Sequence, residues 1–419
     1  MEREPIVFVG TCDLSGHFRG KSFPASDLPA RLRRGVGLAP TNIFMSAFGP
    51  IHVTTFGTVG EVMLIPDPST RVHVPFAGST SEHFYLGDLK TLAGEPWHFC
   101  PRQLLRRALE RLRQETGLTL LASFEQEFLY DGVAPYPPQP YELDGYRRQG
   151  IFGEALLAAM RQAGVVPDSF LSEYGACQFE VTSVPVPGLR AADDAVITRE
   201  IAQAVAFRLG HRVSFAPIPT PDGVGSGTHV HWSFLAQDGR PVLYEPQRPW
   251  QMSELGRHFI AGIQHHLPSL CALTAASVPS YYRLRPNRWA PVYADVGALD
   301  RGAAIRISPV SGDSAERARQ FNVEFRVADA TANPYLTLAV LVQAGLDGVR
   351  ERREIEQTQR PPLPHTLSEA LSLLEANVAV ADWLGAEFVS AYALFKRAEI
   401  KAVEGLEETE ICRRYADVY

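Results

Sequence analysis

Cysteine is scarce in this chain: its 419 residues contain five, at positions 12, 100, 177, 271 and 412, and no two form a C-x-x-C pair. So scattered a set excludes a disulfide framework and a thiolate zinc cluster, and the thiols are expected to be buried and reduced. No run of eighteen apolar residues occurs, so no membrane span is expected. The opening residues MEREPIVFVGTCDLSGHFRG are broken by charges and glycine where a secretory leader needs an apolar core, and a cytoplasmic protein is the expectation. Forty basic residues face forty-seven acidic ones, a formal net charge of −7, and neither sign forms a long run. Neither nucleic acid nor a membrane surface is therefore expected as a partner. Internal repeats, coiled-coil heptads and low-complexity tracts are also lacking.

What remains is ample apolar content, 45% of residues, enough for a large core and two domains of unequal size. Up to Pro96 the chain offers short strand-like runs (IVFVGT, HVTTFG, EVMLIPD, RVHVPF) separated by Gly and Pro. PRQLLRRALERLRQETG then opens a helical pattern that Gly117 ends. Residues 1–96 are expected to form a strand-dominated first domain and 97–419 a larger α+β domain. In the larger domain, helices at 153–164, 190–210, 252–274, 334–352, 367–376 and 384–403 alternate with short strands, and Gln357–Pro364 forms a loop.

Four short segments carry polar residues two apart: Glu125 and Glu127 in FEQEFL, Gln178 and Glu180 in ACQFEV, His229, His231 and Ser233 in THVHWS, and Glu324 and Arg326 in VEFRV. On a strand, residues i and i+2 share a face. If the four faces are shared they line one charged cavity, with Glu173 as a further carboxylate. Taken singly, each segment fits a solvated sheet face better. Together they gather glutamates that would repel unless cations neutralise them. Carboxylates with an imidazole suit magnesium or manganese better than a metal that prefers thiolate. GVGSGT (223–228) precedes the histidine strand and reads either as a flexible hairpin or as the mouth of that cavity. Arg301 and Arg306, beside a divalent metal, are candidates to clamp phosphate oxygens. In SYYRLRPNRWAP (280–291) three arginines and Trp289 crowd around Pro286 in a stretch too irregular for a helix, with Arg285 and Arg288 expected as flap or interface charges.

The motifs E-x-E, E-x₆-E, G-S-G-x-H-V-H, S-Y-x-R-L, R-x₄-R and E-x-R, followed by A-N-P-Y, resemble the glutamine synthetase family with its γ-glutamyl-amine ligase branch. The match is detailed from Glu125 to Tyr335 and extends in layout to both ends, where Y-x-x-x-K-R-A-E and R-Y-A-D-V-Y resemble the family's closing segments. The resemblance implies a β-grasp-like N-terminal domain and a catalytic domain with a curved antiparallel sheet flanked by helices. It also implies a homo-oligomeric ring, hexamer or dodecamer, with active sites between subunits. Two or more Mg²⁺ or Mn²⁺ ions per site follow, with Glu127, Glu173 and Glu180 holding one and Glu125, His229 and Glu324 the other. His231 and Ser233 would contact ATP, together with Arg301 and Arg306. Arg283, Arg326 and Gly225, beside Glu127 and Glu173, would hold L-glutamate. Arg301, Arg306 and Arg326 would carry the catalytic charge stabilisation.

Three positions depart from the family pattern. Ala39 stands near the Asp and Trp289 at the flap Glu with which glutamine synthetases capture ammonium, while Val224 replaces a usual Asn. An indole offers an aromatic wall to an organic amine. The expected reaction is ATP-dependent transfer of a γ-glutamyl group from L-glutamate to an organic amine. The alternatives are a true glutamine synthetase in which another acid, such as Asp295, reaches in, a catalytically silent relative, or a kinase on the same fold.

Overall fold

The structure, a computed structural model, describes residues 3–51, 56–136 and 140–419. The run HVTTFG begins at His52, so its first four residues lie outside the described residues. Strands β1 (Ile6–Cys12), β2 (Phe18–Pro24), β3 (Val36–Leu38), β4 (Val62–Pro66), β5 (Val72–Val74) and β6 (Glu82–Lys90) form one sheet in the order β2-β1-β6-β4-β3, with β5 also on β6. The β1–β6 pair is parallel and the others are antiparallel.

The second sheet contains β7 (Thr119–Tyr130), β8 (Pro167–Ser172), β9 (Gln178–Ser183), β10 (Val186–Pro187), β11 (Val213–Ser214), β12 (Thr228–Leu235), β13 (Val296–Ala298), β14 (Ile305–Ile307) and β15 (Val323–Phe325). Its path runs β13-β14-β15-β12-β7-β9-β8. The expected antiparallel arrangement holds except at the edge, where β13 and β14 are parallel. Their short crossover is tolerated because side chains pin it. Asp295 accepts from the Ala304 amide, Asp300 accepts from the Gly302 amide, and Leu299 takes a left-handed φ of 63°.

Every second residue of β7 is buried against helices, which leaves the alternate face to the cavity described below. Helices Glu254–Thr274 and Pro334–Arg350 pack on each other, and Pro101–Thr116 joins them. Asn333 explains the A-N-P-Y motif. Its side-chain oxygen caps the amides of Tyr335 and Leu336, Pro334 occupies the first helical position, and its amide donates to the Cys12 and Asp13 carbonyls of the first sheet.

Arg102 ties the two sheets further. It is buried, and its guanidinium donates to Asp67 (2.8 Å) and Asp88 (3.0 Å) of the first and to Asp193 (2.9 Å) on helix Gly188–Arg208. The expected helices recur with ends shifted by a few residues, the last as Ala386–Ala402; ahead of it Gly385, at φ 97°, sets off a further short helix, Val378–Leu384, bent from it by 104°. In the closing motifs Lys396 and Glu399 form a fully buried pair at 3.1 Å, and Tyr415 donates to Glu399 from helix Glu408–Val418. Four cysteines are buried and Cys177 half-buried, all as free thiols. Among the described residues no single helix is long and apolar enough to cross a membrane.

Candidate active site

Strand register assembles the polar face. Across β7 and β12 Glu125 sits opposite His229, across β7 and β9 Glu127 opposite Glu180, and Glu324 of β15 opposite both His231 and Arg306. The period of two therefore brings the four polar-pair segments onto one wall, as their spacing predicts.

Two cavities of about 670 and 560 Å³ meet at Glu125 and Glu180, which line both. The larger takes in Glu127, Glu173, His229 and Glu324, and also Gly225, Arg283, Arg301, Arg306, Arg326 and Trp289. The smaller takes in His231 and Ser233. Ala39 lines neither; it is exposed at the start of a short turn, Pro40–Phe44, in the first domain.

Two carboxylate-rich groups have ligand atoms within 4.8 Å of one another: Glu125, His229 and Glu324, and Glu125, Glu127 and Glu180. Glu125 belongs to both. Glu173 is in neither group: its carboxylate accepts from the Tyr141 hydroxyl (3.3 Å) and the Tyr174 amide (3.1 Å), while its charge acts on Glu127 and Glu180 beside it. The His229 Nδ1 lies 2.6 Å from Glu125 and 3.5 Å from Glu324, and His231 is held between Asn322 (2.9 Å) and Glu125 (3.4 Å).

The electrostatics reflect this crowding. Burial, with the neighbouring Glu173 charge, pushes the Glu127 carboxyl up to about 8. Burial and the charges of Glu125, Glu127 and Glu173 push Glu180 up as well. At Glu125 burial also acts upward, but the bonds from His229 and His231 outweigh it and hold the group well below the usual range. Acids driven to keep protons by one another form a set that a divalent cation would relieve, and oxygen donors with one imidazole fit a hard ion.

The arginines are prepared for anions. Arg306 donates to Glu324 at 2.5 Å and Arg326 pairs with the same carboxylate, while Arg283 donates to the Val327 and Ala328 carbonyls. Each of the three keeps a buried Nε–H without a partner while lining the larger cavity. Buried donors left in that state suit a carboxylate or phosphate oxygen. Arg301 is exposed on the same wall.

The GVGSGT segment is a packed loop rather than a flexible one. Gln178 donates to the Gly225 carbonyl (2.8 Å) and the Ser226 hydroxyl (3.0 Å), and the Gly227 amide donates to Glu127 (3.0 Å). A Cβ on Gly225 would lie 2.4 Å from the Arg283 side chain, and one on Gly227 would lie 2.6 Å from the His229 ring, so close approach explains both glycines. Gln178 was visible in the sequence as half of a polar pair but had no role there; it joins Glu127 to this loop.

The 280–291 stretch also differs from expectation. Ser280–Arg283 forms a single helical turn. Arg285 pairs with Glu408 of the last helix, and Arg288 donates to the Gly223 (2.8 Å) and Pro221 (2.6 Å) carbonyls, so both are ties within the chain. Trp289 is 68% exposed and stacks on Tyr174, with centroids 5.8 Å apart and planes 20° apart. Asp295 uses its carboxylate on the Ala304 amide and faces Arg360 at 3.6 Å, outside the cavity lining.

Comparison with known proteins agrees with this geometry. Family models match over residues 98–415 (glutamine synthetase, catalytic domain) and 2–97 (glutamine synthetase N-terminal domain). The chain is 32% identical to the gamma-glutamylpolyamine synthetase GlnA3 of Streptomyces coelicolor, covering 98% of this chain and 92% of that protein. It is 30% identical to the glutamate–isopropylamine ligase of a Pseudomonas species, covering 85% and 82% respectively. A crystal structure described as a novel glutamine synthase homolog superposes with a TM-score of 0.95 at 39% identity, covering 100% of this chain and 99% of that one.

Proposed function

The chain belongs to the glutamine synthetase family and is an ATP-dependent carbon–nitrogen ligase, and from that premise we propose that it joins the γ-carboxylate of L-glutamate to an organic amine. The observation that carries the reading is Trp289: an exposed indole on the cavity wall where the family's ammonium-binding flap acid is expected. The relatives named for polyamine and isopropylamine substrates support it.

Glu125, His229 and Glu324 would hold one Mg²⁺ or Mn²⁺ ion, and Glu127 and Glu180, with Glu125 and Glu173 beside them, a second. Such ions neutralise phosphate charge and orient it. ATP would enter from the smaller cavity past His231 and Ser233, and glutamate from the larger, its carboxylate on Arg283 beside Gly225. An oxygen of the γ-carboxylate attacks the γ-phosphorus and ADP leaves. Arg301, Arg306 and Arg326 stabilise the transferring charge. The amine nitrogen then attacks the acyl carbon, phosphate leaves, and the nitrogen gives up a proton.

Activation is needed because a carboxylate is a poor acyl donor, and holding both partners in one cavity lowers the entropic cost of each step. The domain boundary falls at 96/97, and the protein works in the cytoplasm. Since Ala39 lies outside the cavity of its own chain, a ring of subunits, hexamer or dodecamer, would bring that loop of a neighbour to the acceptor side. Incubation with ATP, Mg²⁺ and L-glutamate should release phosphate when an organic amine is added and yield the γ-glutamylamide mass. Phosphate release without an amide product from any amine would reject the reading.

A further inference from the structure

The resemblance gives Arg285 and Arg288 no role, and the fold turns them in different directions. Arg285 leans back, pairing with Glu408 of the last helix at 3.0 and 2.6 Å and lying over the Tyr282 ring, 4.6 Å from its centroid. Arg288 reaches forward to the loop that precedes the histidine strand. Its guanidinium donates to the Gly223 carbonyl at 2.8 Å, to the Pro221 carbonyl at 2.6 Å and to the Asp222 carboxylate at 3.3 Å. On either side of it Asn287 (φ 63°) and Trp289 (φ 55°) are left-handed without being glycine. Such conformations cost energy and persist where surrounding contacts hold them. Here they send neighbouring side chains apart, Arg288 into the loop carbonyls and Trp289 onto Tyr174.

The loop is held at two points. Gln178 fixes its inner end through the Gly225 carbonyl and the Ser226 hydroxyl, with Glu127 beside the same amide group at 3.3 Å. Arg288 fixes its outer end at residues 221 and 223. The peptide that joins Val224 to Gly225 hangs between these anchors, and both residues line the larger cavity. Gly225 lies so close to Arg283 that a Cβ on it would meet that side chain at 2.4 Å. Arg283 and Gly225 are the glutamate seat of the proposed reaction, and Trp289, next to Arg288, is its acceptor wall. One side chain therefore spans the two sub-sites. A guanidinium suits the task because its planar fork offers donors in fixed directions and holds two carbonyls in one geometry, which a lysine ammonium does not.

We propose that Arg288 is a positioning residue that locks the acceptor wall to the glutamate loop, so that the glutamate and amine sub-sites are set as one unit. This rests on the glutamate–amine ligase reading. The test is steady-state amide formation by the full-length enzyme, with glutamate, ATP and the amine varied in turn, the amine being putrescine or isopropylamine, whichever the parent uses better. Arg288→Ala should raise KM for glutamate and for the amine together, each by about 10-fold, the size expected for lost charge-assisted hydrogen bonds. KM for ATP, and Mn²⁺ affinity in a direct titration, should stay within about 2-fold, because Gln178 still holds the metal end of the loop. Arg288→Lys, which keeps the charge and loses the fork, should fall between parent and Ala variant. Added guanidinium ion should lower both raised KM values in Arg288→Ala and leave those of the parent unchanged. Arg285→Ala breaks only a half-exposed pair with the last helix, so both KM values should change by less than about 3-fold.

A parent-like KM for glutamate in Arg288→Ala would overturn the lock. So would an equal rise in KM for ATP, which would make Arg288 a general prop of the fold, or equal effects from Arg285→Ala. If Tm shows that Arg288→Ala does not fold, Arg288→Lys carries the test, and a rise in KM for only one of the two substrates would reject the proposal. Absence of any amide from the parent with either amine would instead reject the ligase reading on which the lock rests.

Discussion

The floor and the rim of the larger cavity are built differently. The floor, with Glu125, Glu127, Glu180, His229 and Glu324, rides on four paired strands whose register fixes each side chain against the next. The rim, with Tyr141, Glu173, Tyr174, Asn287 and Trp289, comes from connecting segments, three of its residues left-handed. A rigid sheet suits chemistry that every member of such a family must perform, holding cations and phosphate in register. Loops suit the part that decides which nucleophile arrives.

The contrast sets the size of what substitution should do. Glu127→Ala removes a carboxylate from the floor, where it also accepts from the Gly227 amide. Turnover should fall about 100-fold or more, with weakened Mn²⁺ binding in a direct titration. Near-normal activity would show that the floor is not the metal site.

Gly227→Ala perturbs the same floor without touching a charge, because its Cβ would press within 2.6 Å of the His229 ring. A drop of about 10-fold in kcat is expected, since a misplaced ligand is costly even when the fold survives. A variant as active as the parent would mean that the loop yields without moving His229.

A smaller effect concerns stability. In the absence of metal the folded protein holds the Glu127 proton up to a pH of about 8, whereas the unfolded chain releases it near 4.5. Between those values the native state binds the extra proton, so its stability falls as pH rises. Added Mg²⁺ should therefore raise Tm more at pH 8 than at pH 5, by something like 2 °C. A metal effect that shrinks as pH rises would contradict the crowded-acid picture. At the rim no such dependence is expected from Trp289 variants.

The same contrast explains what could be read from sequence. The floor was legible because period-two polar pairs such as Glu125/Glu127 and His229/His231 mark strand faces, and the helix patterns placed most helices to within a few residues. The edge pair β13–β14 escaped, since three-residue strands carry too little pattern to announce a parallel pairing. The tie from the Tyr141 hydroxyl to Glu173 was not legible, since the two lie thirty-two positions apart. The partners of Arg285 and Arg288 could not be read, because Glu408 and the Gly223 and Pro221 carbonyls are brought to them only by the fold. Trp289 was conspicuous as a residue, but its stacking partner Tyr174 lies in another loop.

The central claim, that the floor activates glutamate while the rim has been refitted for an organic amine, is tested most directly by competition. The enzyme, with ATP, Mg²⁺ and L-glutamate, is given equimolar ammonium and putrescine, and the ratio of glutamine to γ-glutamylamide is measured by mass spectrometry for the parent and for Trp289→Glu. The account predicts amide as the main product of the parent and a shift toward glutamine in the variant. Glutamine as the main product of the parent, or an unchanged ratio in Trp289→Glu, would contradict it.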